Sequence, residues 1–231
     1  MSILLRRAFV LHRRPFKNTS LLLELFVEGE GRFPAVSRGG AKGSTAGLLQ
    51  PFTPLRLGWG GRGEVKSLHE VEPDDYQLDR LVGKPLFCGL YLNELLMRLV
   101  PRSEPHDQLF GDYIRTLSSL VGEIPLDWSL RLFEMRLLQA AGYELVTDVT
   151  LENEPVEPGR NYLYQKGRGF SESPVELSAD TSNIISGRTL IALHNKTCDD
   201  IQLRQEAKQL LRRVIDYHLD YNPLKSRELF G

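Results

Sequence analysis

Apolar and polar residues alternate along 50–66, QPFTPLRLGWGGRGEVK: Phe52, Leu55, Leu57 and Trp59 are apolar, with Thr53, Arg56 and Gly58 between them. A Gly-Gly-Arg-Gly turn follows, then a second alternating run, GEVKSLHEV. A period of two broken by tight glycine punctuation predicts two short antiparallel strands in a hairpin. Three strand-like runs precede it. Residues 8–11 lie between arginine pairs, the leucine-rich 19–27 closes on Glu28-Gly29-Glu30-Gly31, and 32–37 leads into a glycine-rich basic loop at 38–44. Five short strands in about seventy residues, with no helix between them, predict a small closed barrel. An oligonucleotide-binding barrel and an SH3-like barrel both fit that strand count.

From residue 73 the period lengthens. Pro85 opens a run in which Leu86/Phe87, Leu90/Tyr91, Leu95 and Leu99 recur at three and four residues, stopped by Pro101. Residues 106–121 repeat the pattern through Leu109/Phe110, Tyr113/Ile114, Leu117 and Leu120/Val121, with Gly122 as the stop. Pro125 starts a third run, Leu126, Leu130, Phe133, Leu137 and Ala140/Ala141, closed by Gly142. Proline near each start and glycine past two ends predict three helices in a bundle. Helical pattern returns at 189–193 and 199–219, where Leu203, Ala207, Leu210, Val214 and His218 mark a buried face. Between them, 147–178 is rich in Pro, Gly and acids, with one small hairpin expected from Tyr162-Leu163-Tyr164 through 166–169 to Phe170. The expected division is a barrel at 1–80 and a helical domain at 81–231, with 147–178 an irregular subdomain.

Composition narrows the class. A 41% hydrophobic share suits a globular chain with a proper core, and no run approaches 18 apolar residues, so no membrane partner or span is expected. Arginines at 6, 7, 13 and 14 interrupt any signal-peptide core, which leaves a cytoplasmic, nucleoid-associated location as the expectation. Cys88 and Cys198 are the only cysteines, too few for a disulfide framework or a four-cysteine zinc site. The net charge of −1 conceals an asymmetry. Residues 1–70 hold eleven Lys/Arg against five acids, a local +6, which leaves −7 for the rest. A basic β-rich lobe beside an acidic helical one is the electrostatic footprint expected of a nucleic-acid binder.

RRAFVLHRRPFKNTSLLLELF, LLQPFTPLRLGWGGRGEVKSLHE, LFCGLYLNELLMRLVP and the terminal PLKSRELF occur in this order nearly end to end. In these stretches the chain resembles the RecO family of bacterial recombination mediators. The resemblance implies an α+β chain: an N-terminal five-stranded oligonucleotide-binding barrel followed by a helical bundle domain. It also implies binding of single- and double-stranded DNA, annealing of strands coated with single-stranded-DNA-binding protein, and, with RecR, help in loading RecA. Some members hold zinc through four cysteines in the segment corresponding to 147–178. This segment has none here, and its Tyr, Glu and Pro cannot replace thiolate pairs, so no metal or other cofactor is expected.

DNA contact by the barrel calls for cations on phosphates and ring faces on bases. The candidates are Arg13, Arg14, Lys17, Arg32, Arg38, Lys42, Arg56, Arg62 and Lys66; each taken singly is also an ordinary solvated surface charge. Trp59 shares the face of Leu55 and Leu57 and is assigned to the core, because the inside of a barrel must be filled. The helix stripe Arg204, Lys208, Arg212, with its neighbours Asp199, Asp200, Glu206 and Asp216, reads as an ion-paired solvated face. The acidic, hydrophobic C-terminal tail of single-stranded-DNA-binding protein would need an apolar notch with a basic rim. Arg131 and Arg136 beside Phe133 and Leu137, and Arg115 beside Tyr113, are the candidates for that notch.

Nothing in the chain matches a phosphate loop, a GxSxG elbow or an HExxH motif, and the five histidines are scattered. The expectation is a non-enzymatic DNA-binding and strand-annealing mediator of recombinational repair. Two alternatives stay open: an interaction scaffold whose barrel binds protein, and an RNA-binding barrel.

Overall fold

The computed structural model describes residues 4–174 and 183–230; residues 175–178 of the expected irregular segment lie outside them. The chain divides into two compact units, Met1–Glu123 with Leu224–Gly231, and Ile124–Pro223.

The first unit is built on five strands, β1 (Arg6–Phe16), β2 (Ser20–Val27), β3 (Gly31–Ser37), β4 (Leu55–Gly60) and β5 (Lys66–Pro73), closed in the order β1-β2-β3-β5-β4. β4 returns to β1 through Arg6↔Leu57 and Ala8↔Leu55, and β3 meets β5 in parallel through Ala35↔Lys66. That closed five-strand path is the oligonucleotide-binding arrangement, so strand order separates the two barrel types that strand count does not. Alternate residues fill the inside: Val10, Leu23, Leu25, Ala35, Leu55 and Leu57 are at most 1% exposed. Trp59 is half-buried against this core, its ring 5.1 Å from Phe33.

β2 is buried on both faces, which its nearly continuous run SLLLELFV already encodes. Leu21, Leu23, Leu25 and Val27 point into the barrel; Glu24 and Phe26 point out and are buried, Phe26 beneath the helices that follow. These are α1 (Lys84–Leu99), with proline in its first turn, and α2 (Asp107–Ser119). Phe9 and Phe26 of the barrel meet Phe110 and Tyr113 of α2 with ring centroids 5.2–6.0 Å apart. Asn93 of α1 donates to Leu11 O (2.9 Å) and accepts from the Tyr113 hydroxyl (2.6 Å), so the seam's buried polar groups are paired. Gly31 adopts a positive φ of 76°, and a Cβ there would sit 1.8 Å from Glu104 O; the backbones approach too closely for any other residue.

After the second unit the chain returns to the first. A 3-10 turn, Lys225–Phe230, docks on α1. The Glu94 carboxylate accepts from Lys225 N (3.0 Å), Ser226 N (2.8 Å) and Ser226 Oγ (2.5 Å), and Phe230 lies edge-on to Phe87 and Tyr91. Partial burial alone would raise the Glu94 carboxyl; these donors, with Arg98 nearby, outweigh it and hold it below its ordinary range.

The second unit contains α3 (Leu126–Ala140), a small sheet in the order β7-β6-β8 (β6 Asn161–Gln165, β7 Gly169–Ser173, β8 Ile184–Ser186), α4 (Gly187–Asn195) and α5 (Ile201–His218). The three predicted helices between residues 84 and 140 therefore all form, with α3 in the second unit, where it and α4 pack on α5. Ser186 caps α4 and Asp200 caps α5, its side chain accepting from Gln202 N (2.8 Å). The predicted hairpin at Tyr162–Phe170 is β6–β7.

Candidate nucleic-acid interface

The sequence-predicted cations fall into two groups on the barrel. Arg14 lies near the end of β1, Lys17 in the β1–β2 turn, and Arg38 and Lys42 in the loop that leaves β3; all four are exposed. Ala41 N donates to Thr19 O (3.0 Å), tying that loop to the β1–β2 turn, and Leu21 pairs with Ser37 beside it. Arg13 anchors the same end: its guanidinium donates to Ala46 O (3.4 Å) and Leu49 O (3.3 Å), securing the 3-10 turn Ser44–Gly47. Neither 12–23 nor 37–51 contains a carboxylate, so the segments that carry these cations add no negative charge of their own. Phe16 is exposed among these cations, with Lys17 Nζ 5.5 Å from its ring. Phe16 is not among the sequence candidates; its signal is an aromatic flanked by cations in RRPFK.

The second group lies on the β4–β5 hairpin. Arg62 is exposed in the turn, and Lys66 donates to Gly61 O (3.3 Å). Arg56 shares Asp74 with Arg7, at 3.6 and 3.4 Å, and faces Glu72 across the ladder. This hairpin carries Glu64, Glu70 and Glu72 as well, so its net field is weak.

Arg32 belongs to neither group. It is 9% exposed, its guanidinium donates to Glu24 and twice to Val100 O (3.1 and 2.8 Å), and Glu24 is also held by Arg102 at 2.7–3.0 Å. Burial pulls the Arg32 pKa down, opposed by the charge and hydrogen bond of Glu24. The expectation that Arg32 contacts DNA is therefore corrected: its guanidinium is buried and bonded within the protein through Nε, Nη1 and Nη2. Together with Phe26, this network closes the outer face of β2–β3, the face with which barrels of this type usually take oligonucleotides. The exposed chemistry is displaced to the loops.

The expected tail notch also needs correction. Tyr113, Phe133 and Leu137 are fully buried, Tyr113 in the first unit and the other two in the second. Arg131 is 5% exposed and donates to Glu134 (2.5 Å). Arg115 is exposed and paired with Asp112 on its own helix (2.7 Å). Of the six candidates Arg136 lines a groove. That groove, of about 350 Å³, is formed by the neighbouring face of α3 (Leu132, Met135, Arg136) with Val146, Leu193 and Lys196. The sequence signal is a half-apolar face at 132, 135, 136 and 139, one position from the buried stripe. On α5, Arg204 donates to Asp127 (3.1 Å) and Arg212 lies 4.0 Å from Asp216, as an ion-paired face.

Among the described residues no three His, Cys, Asp or Glu side chains converge to hold a metal ion, and no helix is long and apolar enough to cross a membrane.

Two family models cover nearly the whole chain: "Recombination protein O N terminal" matches residues 1–76 and "Recombination protein O C terminal" matches 80–228. The chain belongs to the RecO family. It is 44% identical over 231 residues to the DNA repair protein RecO of Methylococcus capsulatus, covering 99% of this chain and 93% of that relative. It is 41% identical to the RecO of Yersinia enterocolitica over 229 residues, covering 97% and 93% of the two chains. The RecO of Actinobacillus succinogenes is 39% identical over 229 residues, covering 98% and 94%. The RecO relatives thus span the barrel, the helices and the second unit alike.

Proposed function

We propose that this chain is a DNA-binding, strand-annealing mediator of recombinational repair. The observation that carries the reading is the pair of carboxylate-free segments 12–23 and 37–51, which present Arg14, Lys17, Arg38 and Lys42 exposed, with Phe16 exposed beside Lys17. Two phosphate backbones repel each other; cations that neutralise both on one surface remove that opposition and let complementary bases pair. Because phosphate contacts release condensed counterions, binding of a single-stranded oligonucleotide should weaken steeply with salt, by about 0.7 in log–log slope per phosphate held. Fluorescence anisotropy between roughly 50 and 200 mM salt tests this. A steep slope supports the reading; an affinity that barely moves rejects it in favour of a protein-binding scaffold. Equal affinity for ribo- and deoxyribo-oligonucleotides would be expected, since phosphate contacts do not read the 2′-hydroxyl.

The groove between Arg136 and Lys196 supports a partner reading. Leu132, Met135 and Leu193 supply apolar lining and Arg136 and Lys196 two cations, against the carboxylates Glu144 and Asp148; the apolar side chains with those two cations are what would take the acidic, hydrophobic tail of single-stranded-DNA-binding protein. Arg136→Glu and Lys196→Glu should each weaken binding of a tail peptide roughly tenfold, in the range of a lost charge-assisted hydrogen bond, while sparing oligonucleotide binding. Unchanged peptide affinity in both variants would remove the groove from consideration. In the mediator reading the protein displaces or remodels the coated strand and, together with RecR, prepares it for RecA.

A further inference from the structure

We infer that the second unit carries its own base-stacking contact for single-stranded nucleic acid, at the junction of the β6–β7 turn with the ends of α3 and α5. Just past α3, where Gly142 adopts a φ of 80°, Tyr143 stands 42% exposed. Its ring stacks on His218, with centroids 4.0 Å apart and planes 18° from parallel. Tyr217 meets His218 edge-on at 5.1 Å. Tyr221, 59% exposed, accepts a hydrogen bond from Lys166 Nζ (2.6 Å), which also sits 5.1 Å from the Tyr221 ring. Four rings at or near the surface of one short region are a large aromatic investment for residues that close no core.

The turn beside them supplies charge and close backbone approach. Lys166-Gly167-Arg168-Gly169 joins β6 to β7, with Lys166 and Arg168 exposed. A Cβ on Gly167 would lie 2.9 Å from the Tyr217 ring, so the turn packs directly on the aromatic group. Between the turn and the Tyr143–His218 stack runs a cleft of about 170 Å³, floored by Tyr164 and Val214. That is below the roughly 300–1,000 Å³ of an enclosed small-molecule site, and Tyr143, Tyr164 and His218 are the rings among its lining residues. Glu144 is the single carboxylate among its lining residues, and Gln139 donates to it (2.9 Å). Burial lowers the His218 pKa, which favours the uncharged imidazole in its stack with Tyr143.

Ring faces with cations at their margin recognise a strand whose bases are unstacked, and do so without sequence preference, because every base has a π-face. Paired bases in a duplex present no free face. The contact therefore selects the single strand, unlike the barrel's phosphate-directed end. It extends the DNA-binding reading given above without depending on the barrel residues.

The test uses the full chain and a single-stranded oligodeoxynucleotide carrying 5-iodouracil, which cross-links to aromatic side chains it stacks upon. Cross-linked peptides containing Tyr143, Tyr217 or Tyr221 are expected, and Tyr143→Leu and the pair Lys166→Ala/Arg168→Ala should each lower single-strand affinity roughly tenfold, in the range of one lost base stack. Duplex affinity should stay unchanged in both, and circular dichroism should show the fold intact. Cross-links confined to the first unit, or single-strand affinity unaffected by both variants, overturn the inference; the latter is also what a protein-docking face would give. If barrel variants then still weaken binding, the mediator reading stands without this site. If they do not, both readings fall.

Discussion

Replacing Arg14, Lys17, Arg38 and Lys42 together by Glu is expected to lower single-strand affinity at low salt by roughly a hundredfold or more, and to flatten the log–log salt slope by about 2.8 if each cation holds one phosphate. The effect is large because these four stand where no carboxylate of 12–23 or 37–51 offsets them. The corresponding alanine variant should follow the same trend more weakly. All four are exposed, so the unfolding midpoint should hardly move, which separates lost binding from lost fold. Reversing Arg56 should matter far less, since Asp74 already draws on it and Glu72 faces it. A quadruple variant that bound with unchanged affinity and slope would move the interface off this end of the barrel.

Replacing Glu24 by Leu is expected to cost about 3–5 kcal/mol, the penalty for leaving a buried ion without its partner. Arg102 is 53% exposed at its side chain and can rehydrate, but Arg32 cannot: its side chain is 10% exposed and is packed between the β2–β3 face and Val100. The double variant Glu24→Leu/Arg32→Leu should recover much of the loss, because replacing both partners removes the orphaned charge. Urea unfolding of the two single variants and the double variant measures the coupling. A loss below about 1 kcal/mol for Glu24→Leu, in the range of an exposed pair, would show that water reaches the network after all. Arg32→Leu should leave oligonucleotide affinity unchanged, since Arg32 is buried and held by Glu24 and Val100 O.

Most elements were legible because local chemistry punctuates them. The glycine turn at 60–63 marks the β4–β5 hairpin, and Pro85, Pro101, Gly122, Pro125 and Gly142 bracket α1 to α3. Strand order was not legible, because β3–β5 and β1–β4 pairing joins residues far apart in sequence whose alternation is compatible with either barrel. The covered face of β2 was legible in principle. A strand reading SLLLELFV has no solvent side, and its lone Glu24 had to find cations. Arg32 and Arg38 look alike as letters; only the approach of residues 100–102 to β3 makes one a structural ion and leaves the other free for solvent. On α3 the error was angular. Phe133 and Leu137 form the stripe that packs inward, and the groove lies on the adjoining face at Leu132, Met135 and Arg136.

The docking of Lys225–Phe230 on α1 makes the second unit an insertion within the first: the chain leaves at 123/124 and returns at 223/224. A domain held by one linker is freed by a single cut, whereas this one hangs from two. A protease nick in the strand that leads out would leave the halves joined through the strand that leads back and the three hydrogen bonds to Glu94. During synthesis the order is inverted. The barrel emerges first, yet its unit gains its last segment only after the whole inserted unit has been made.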